Sequence, residues 1–271
     1  MLTLIIGKNS NLSQHLAQKI PNCVLISSRE ISSDVTVLSP FKDTNISIIF
    51  NNFQTASRLN DADNLEAYIE NSIVVTAKVL DYFKNTAVDK IIYTSSSSVY
   101  GNNILCNETD EVKPLNLHAS LKVSNEKMIE KYCTERQIDY TVARIFNMYG
   151  GEDRFSIISK IINAVQSGQS LTVINNGNAI RDFIHIEDVV NVYEHLLQIR
   201  NLPRINIGSG NGTSIKNILT FLKNNGIEVK TDTQQRDELK ISTANNTLMV
   251  KLLGRNVFRD VETYLLDKLR T

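Results

Sequence analysis

Short, mostly apolar runs separated by stretches with helical spacing constrain this chain more than any other feature. Leu2-Thr3-Leu4-Ile5-Ile6, Val24-Leu25-Ile26, Ile46-Ser47-Ile48-Ile49-Phe50, Ile91-Ile92-Tyr93 and Tyr140-Thr141-Val142-Ala143-Arg144-Ile145 read as strands. Between them Leu12, Leu16 and Ile20 recur at intervals of four, the spacing of one helix face. Leu65 to Phe83 and about Ser120 to Arg136 read as further helices. Strands that are apolar along their whole length have both faces covered, and their alternation with helices builds a parallel sheet with helices on either side.

After Gly150-Gly151 the pattern changes. Ile157, Ile158, Ile161, Ile162 and Val165 form a strong helical stripe ended by Gly168, and Leu171-Thr172-Val173-Ile174 reads as a short strand. A helix over Val189 to Ile199, a strand at Arg204 to Ile207 and a helix over Ile215 to Leu222 follow. These elements are expected to form a smaller C-terminal lobe.

Charge narrows the range of partners. Lysine plus arginine number 29 and so do aspartate plus glutamate, so no global field draws the protein to nucleic acid or to an acidic membrane. An anionic ligand has to be gripped locally. The apolar start stops at Gly7-Lys8-Asn9, too early for a signal peptide or a bilayer span, and a cytoplasmic location is the expectation. Cys23, Cys106 and Cys133 are widely spaced, which points to neither a disulfide framework nor a metal site.

The first strand, turn and helix offer the setting of a dinucleotide-binding turn, in which backbone N–H groups at a helix N-terminus meet a pyrophosphate. The fingerprint positions are Gly7, Ser10 and Ser13, so two of the three glycines are serines. About 20 residues on, where NAD-preferring folds carry an acid for the ribose hydroxyls, stands Ser27-Ser28-Arg29. An arginine there suits a 2′-phosphate, which favours NADP(H) over NAD.

Thr94-Ser95-Ser96-Ser97-Ser98-Val99-Tyr100-Gly101 puts a cluster of hydroxyls at a strand end, and downstream His118 stands four residues before Lys122. With Arg144-Ile145-Phe146-Asn147-Met148-Tyr149-Gly150 and Arg181-Asp182-Phe183-Ile184-His185-Ile186-Glu187-Asp188-Val189, these segments resemble the extended short-chain dehydrogenase/reductases, the nucleotide-sugar epimerases, dehydratases and reductases. The resemblance runs over nearly the whole length. Gln235-Arg236-Asp237 with Ala244-Asn245-Asn246 is similar to the 4-keto reductases that finish deoxyhexoses. The fold it implies is α/β: a Rossmann-like doubly wound parallel sheet over 1–150 and a smaller α/β substrate-binding lobe over 151–271, with about 182–208 packing back on the first domain.

The resemblance also assigns roles. Ser96 matches the catalytic hydroxyl, Lys122 the lysine that holds the nicotinamide ribose, and Asn147, Arg181 and Arg236 contacts to the nucleotide sugar, with Ser97 beside them. Cofactor contacts then comprise Gly7, Ser10, Asn11 and Leu12 of the turn, Ser28 and Arg29 after the second strand, Asn51 after the third, and Lys122. A homodimer is the expected assembly. The main departure is His118, which stands where the family has its proton-donating tyrosine. Histidine has a reference pKa of about 6.5 against about 10 for tyrosine. A lysine about 6 Å away repels its cation by roughly 3 kcal/mol at an effective dielectric of 20. His118 as the acid and His118 as the mark of lost catalysis are both open at this point.

Dehydratases place an Asp-Glu pair directly after the catalytic hydroxyl, and Ser97-Ser98 cannot do that acid and base work. Reduction of a nucleotide-linked 4-keto-6-deoxy sugar by NADPH, in surface-polysaccharide sugar synthesis, is therefore the expected activity. A 4-epimerase with retained NAD is the alternative, and a non-catalytic cofactor- or sugar-nucleotide-binding relative is a third reading.

Overall fold

Six strands, β1 (Leu2–Ile6), β2 (Cys23–Ile26), β3 (Ile46–Phe50), β4 (Val88–Ser96), β5 (Asp139–Ile145) and β6 (Arg204–Ile207), form one parallel sheet. Its order is β6-β5-β4-β3-β1-β2. The structure is a computed structural model that describes residues 1–53 and 64–270. Leu4, Ile5, Ile6, Ile46, Ile49 and Phe50 are fully buried, as strands covered on both faces require. Register holds the strand ends together: Ile6 lies opposite Ile26 and Phe50, and Phe50 opposite Tyr93. Gly7 and Asn51 therefore leave the sheet, and Thr94 stands within β4, along one carboxyl edge. The chain departs from β1 to one side for β2 and returns to the other for β3, which makes this edge the topological switch point where ligands bind in doubly wound sheets.

Gly7 shows how tightly that edge is built. Its φ is +109°, and a Cβ there would lie 2.3 Å from the Asn51 carbonyl oxygen. Gly7→Ala is expected to destabilise the fold by about 2 kcal/mol or more, from a strained backbone and a forced separation of β1 and β3. Chemical denaturation measures this, and an unchanged midpoint would show that the turn yields.

Three helices matter for the site. α1 (Asn11–Lys19) follows the Gly7 turn, and α2 (Val75–Tyr82) and α3 (Leu117–Arg136) cover the sheet. Val75 and Val79 from α2, and Ile129 and Cys133 from α3, share a core with Leu4, Ile6, Ile48, Phe50, Ile91 and Tyr93. The stretch from Leu65 is not one regular helix. Leu65–Ile69 is α-helical, Glu70–Val74 is a π-helical turn, and α2 continues from it. The wide turn leaves carbonyls that side chains take up. Asn52 donates to the Asn71 carbonyl at 2.7 Å, and Asn125 to that of Ser72 at 2.7 Å. These bonds tie the segment to the end of β3 and to α3. Expected to begin near Ser120, α3 begins instead at Leu117, because Asn116 caps it by accepting the Ala119 N–H at 2.9 Å. His118 consequently stands in the first turn of a helix, one turn before Lys122.

The chain divides into two compact units, Met1–Val99 with Pro114–Arg144 and Tyr193–Ile205, and Tyr100–Lys113 with Ile145–Val192 and the residues from Asn206 onward. The second unit carries a five-stranded sheet in which Ile180–His185 pairs with Gly212–Ser214, Ile241–Ala244 and Asn147–Tyr149. Its core gathers Tyr149, Ile158, Ile161, Leu171, Phe183, Ile218, Leu222 and Leu265. Buried Asp182 accepts from Ser209 N–H (2.7 Å), Ser209 O–H (2.7 Å), Gly210 N–H (2.9 Å) and Ala244 N–H (3.1 Å). It pins three segments at one point.

Candidate active site

Serines at the fingerprint positions become part of the turn's architecture. Ser10 caps α1 by accepting the Ser13 N–H at 3.0 Å. Asn51, leaving β3, donates its amide to Ser10 Oγ at 2.5 Å and to Ser13 Oγ at 2.9 Å. Gly7, Ser10, Asn11, Leu12 and Asn51 are thus brought together at the carboxyl edge. Rigidity that glycines would not supply comes here from an amide and two hydroxyls. The Leu12 N–H in the first turn of α1 has no acceptor among the described residues. An open donor at a capped helix N-terminus fits a pyrophosphate.

Ser28 and Arg29 begin the short helix Ser28–Ser33 directly after β2. Glu30, the acid nearest this point, accepts the Ser27 N–H at 3.4 Å. Arg29 is exposed and its guanidinium has no partner among the described residues.

Ser96 closes β4, and its Oγ accepts both the Ser98 N–H (3.2 Å) and the Ser98 O–H (3.0 Å). A hydroxyl whose lone pairs are so engaged still has its own proton to give. Ser96 is therefore set up as a donor. Ser95 points elsewhere and donates to the buried Glu126 carboxylate. Ser97 is buried.

Lys122 is 6% exposed, and its ammonium donates to the Thr94 carbonyl at 2.7 Å, two residues before Ser96. The Phe53 ring lies 4.2 Å and the Tyr93 ring 5.3 Å from Nζ. Burial pulls its pKa down to about 7, opposed by Glu126 one turn along α3. Glu126 is held in turn by Arg144, through Nε at 3.1 Å and Nη2 at 2.7 Å, both side chains being buried. An ammonium has three N–H groups, and one carbonyl leaves two to spare. A ribose diol fits that remainder.

The His118 ring packs edge-on to Phe53 at a centroid distance of 5.2 Å. Its Nδ1 lies 2.5 Å from the hydroxyl of Tyr68, a fully buried side chain. Burial, and secondly the Lys122 charge, pull the imidazole's pKa down to about 4. Repulsion by Lys122 is legible in the sequence, yet desolvation is the larger cause. At neutral pH His118 is an uncharged imidazole. Its Nε2 has no partner among the described residues.

In the second unit, Asn147 donates to the Asp182 carbonyl at 3.1 Å. Arg181 pairs with Glu238 at 3.2 Å and donates to the carbonyls of Ile180 (2.9 Å) and Leu239 (2.5 Å). Arg236 is exposed, and its backbone is pinned by Asn175, which donates to its carbonyl at 2.6 Å and accepts its N–H at 3.1 Å. Asn175 also donates to Glu238 at 3.1 Å. Arg181 is thus tied through Glu238 and Asn175 to the Arg236 backbone, and Asn147 to the backbone of the next residue, Asp182, through partners that the sequence did not single out. His185 packs on Tyr149 and Tyr264 and closes against Gly150, where a Cβ would lie 2.4 Å from Nε2. Among the described residues no helix is long and apolar enough to cross a membrane, and no group of three acidic, His or Cys side chains could hold a metal.

Fold and site define a dinucleotide-fold protein with a Ser/His/Lys set at the carboxyl edge of its sheet. The model of the NAD dependent epimerase/dehydratase family matches residues 8–208, and the chain belongs to that family. Protein CapI of Staphylococcus aureus is 31% identical over 162 residues, covering 58% of this chain and 48% of that protein. A UDP-glucose 4-epimerase of Halalkalibacterium halodurans is 30% identical over 176 residues, covering 56% and 52%. The chain spans about half the length of the curated relatives it matches. Among solved structures, MoeE5 in complex with UDP-glucuronic acid and NAD superposes with a TM-score of 0.89 at 19% identity, over 100% of this chain and 98% of that one. The UDP-glucose 4-epimerase of Thermus thermophilus in complex with NAD gives 0.86 at 15%, over 100% and 99%. These structures share the fold, and the doubly wound reading of the sequence stands.

Proposed function

We propose that this protein binds a nicotinamide dinucleotide on its first unit and carries out 4-epimerisation of a nucleotide-linked hexose. The observation that carries the proposal is Lys122, a buried ammonium with N–H groups to spare, one turn from a neutral imidazole and bonded to the Thr94 carbonyl two residues before Ser96. Leu12 and the α1 N-terminus would hold the pyrophosphate, and Lys122 the nicotinamide ribose. A nicotinamide bound there would supply reversible hydride transfer at the sugar carbon. Ser96 donates to the sugar oxygen, stabilising the charge that develops as it loses or regains its proton. His118, neutral at rest, takes that proton on Nε2 and returns it to the oxygen from the imidazolium so formed. Ser97 and Ser98 offer no carboxyl pair for dehydration. The relatives whose names specify 4-epimerases, including those of Halalkalibacterium halodurans and Rhizobium meliloti, support this outcome.

Arg29 favours a second reading, reduction of a 4-keto-6-deoxy sugar nucleotide by NADPH. A guanidinium with no partner among the described residues, at the end of β2, suits a 2′-phosphate. Incubating the purified chain with UDP-glucose, UDP-glucuronic acid and a dTDP-4-keto-6-deoxyhexose, each with NAD and with NADPH, separates the two. Products inverted at C4 with no net cofactor change are expected. Stoichiometric NADPH oxidation would transfer the assignment to the reductase, and neither outcome with any substrate would overturn both.

Arg181 and Arg236 would take the diphosphate, and Glu238 competes for the first of them. Glu238→Gln, which leaves Arg181 charged but unpaired, is expected to tighten UDP binding roughly three- to tenfold by calorimetry. Unchanged affinity would remove Arg181 from the binding surface.

A further inference from the structure

We infer that Phe53 is a positioning residue for both His118 and Lys122: one phenyl ring, fixed just after β3, packs against the two side chains, holds them in place and keeps water from each. This rests on the roles proposed above for those two groups. Lys122 Nζ stands over the Phe53 ring, 4.2 Å from its centroid, and the His118 ring meets it edge-on at 5.2 Å and 86°. Among the described residues Phe53 is the one ring in contact with both, since Tyr68 meets only His118 of the pair and Tyr93 only Lys122. The ring is itself well placed to act as a wall. It packs on the core of the first unit, and the two residues before it are anchored to separate elements. Asn51 donates to Ser10 and Ser13 at the start of α1, and Asn52 to the Asn71 carbonyl at 2.7 Å and to Thr76 Oγ at 3.2 Å.

A phenyl face attracts a cation without hydrating it, so the ring can seat the ammonium and still leave it desolvated. Burial is the first cause of both displacements, of His118 to about 4 and of Lys122 to about 7. Replacing the ring by a methyl group admits water to both, and each pKa rises, His118 toward 6.5 and Lys122 toward 10.5. The lost attraction to the ring face opposes the second rise without cancelling a displacement of that size. The other titratable and charged groups facing the pair stay where they are. Burial holds the Tyr68 and Tyr93 hydroxyls far above their ordinary range, so both keep their protons, and Glu126 remains paired with Arg144. Both edges of the working pH range therefore move upward together, which a packing defect elsewhere in the fold would not produce.

Protein grown with ring-13C histidine tests this by the pH titration of its imidazole signals, those of His118 among the four histidines being identified by their loss in His118→Gln. The His118 midpoint is expected near pH 4 in wild type and higher, toward 6.5, in Phe53→Ala. Calorimetry with NAD and with NADPH reads the Lys122 side: the weakening of cofactor binding expected near pH 7 in wild type moves to higher pH in the variant. At neutral pH, Phe53→Ala is also expected to lower kcat about tenfold, because the pair is no longer held in one geometry. An unmoved His118 midpoint or an unmoved alkaline limit in the folded variant, even with kcat reduced, overturns the inference and leaves Phe53 a packing residue. If Phe53→Ala does not fold, Phe53→Val, whose side chain is too small to cover both groups, is read by the same titrations with the same expected direction. If wild type binds no dinucleotide or turns over no nucleotide sugar, the proposed function fails, while the His118 titration still decides the role of Phe53.

Discussion

His118→Gln is expected to lower kcat for C4 chemistry by about 10²–10⁴-fold, the share of a positioned acid and base, with little change in nucleotide-sugar affinity. The amide keeps hydrogen-bonding capacity beside Tyr68 but cannot exchange a proton at neutral pH. A matched loss in kcat and kcat/KM would place the effect in the transition state. The pH profile gives a second signature. His118 stays neutral down to about pH 4, and Lys122 loses its charge near pH 7, so activity is expected to hold from about pH 5 to 7 and to fall above that. A tyrosine acid would place its limb higher. Gain of activity in His118→Tyr would contradict the histidine assignment and mark position 118 as a lost tyrosine.

Lys122→Met is expected to separate binding from stability. Removing the ammonium should abolish stabilisation by NAD or NADPH in thermal-shift measurements. It should also stabilise the apoprotein, because a buried charge is replaced by an apolar chain of similar length, by about 1–4 kcal/mol. The gain has a defined pH dependence. The folded-state pKa of Lys122 is lowered from 10.5 to about 7, so the unfolded chain binds more protons between those values and wild-type stability rises with pH across that window. The advantage of the methionine variant is therefore full below pH 7 and shrinks as the pH approaches 10.5. A destabilised variant with the cofactor response intact would show that Lys122 is structural, held for its bond to Thr94 and its place beside Glu126.

Much of this protein is legible in its sequence, at the level of patterns with local physical causes. Apolar runs such as Ile46 to Phe50 can be satisfied only as buried parallel strands, and β3 lies where such a run belongs. His118 and Lys122 are four residues apart, and a helix puts both on one face. What the sequence hides is set by distant partners. Tyr68 lies 50 residues from His118, in a stretch that reads as a helix, and only the π-helical turn after it shows that its backbone departs from a regular one. Glu238 reaches Arg181 across 57 positions, with no local signal. Asn51 is named by its place after a strand, while its bonds to Ser10 and Ser13 explain how a turn short of glycines keeps its shape. The depth of Lys122 likewise depends on Phe53 and Tyr93, which converge on it from separate strand ends.

The fate of deuterium at C4 tests the assigned chemistry most directly. A nucleotide hexose deuterated at C4 is incubated with the purified chain and NAD, and the product is read by NMR. The predicted result is the C4 epimer with deuterium retained at C4 and no net cofactor change, together with loss of the reaction in His118→Gln. Unaltered substrate, or an epimer whose C4 deuterium has been exchanged for solvent hydrogen, would contradict hydride transfer at the Ser96, His118 and Lys122 site.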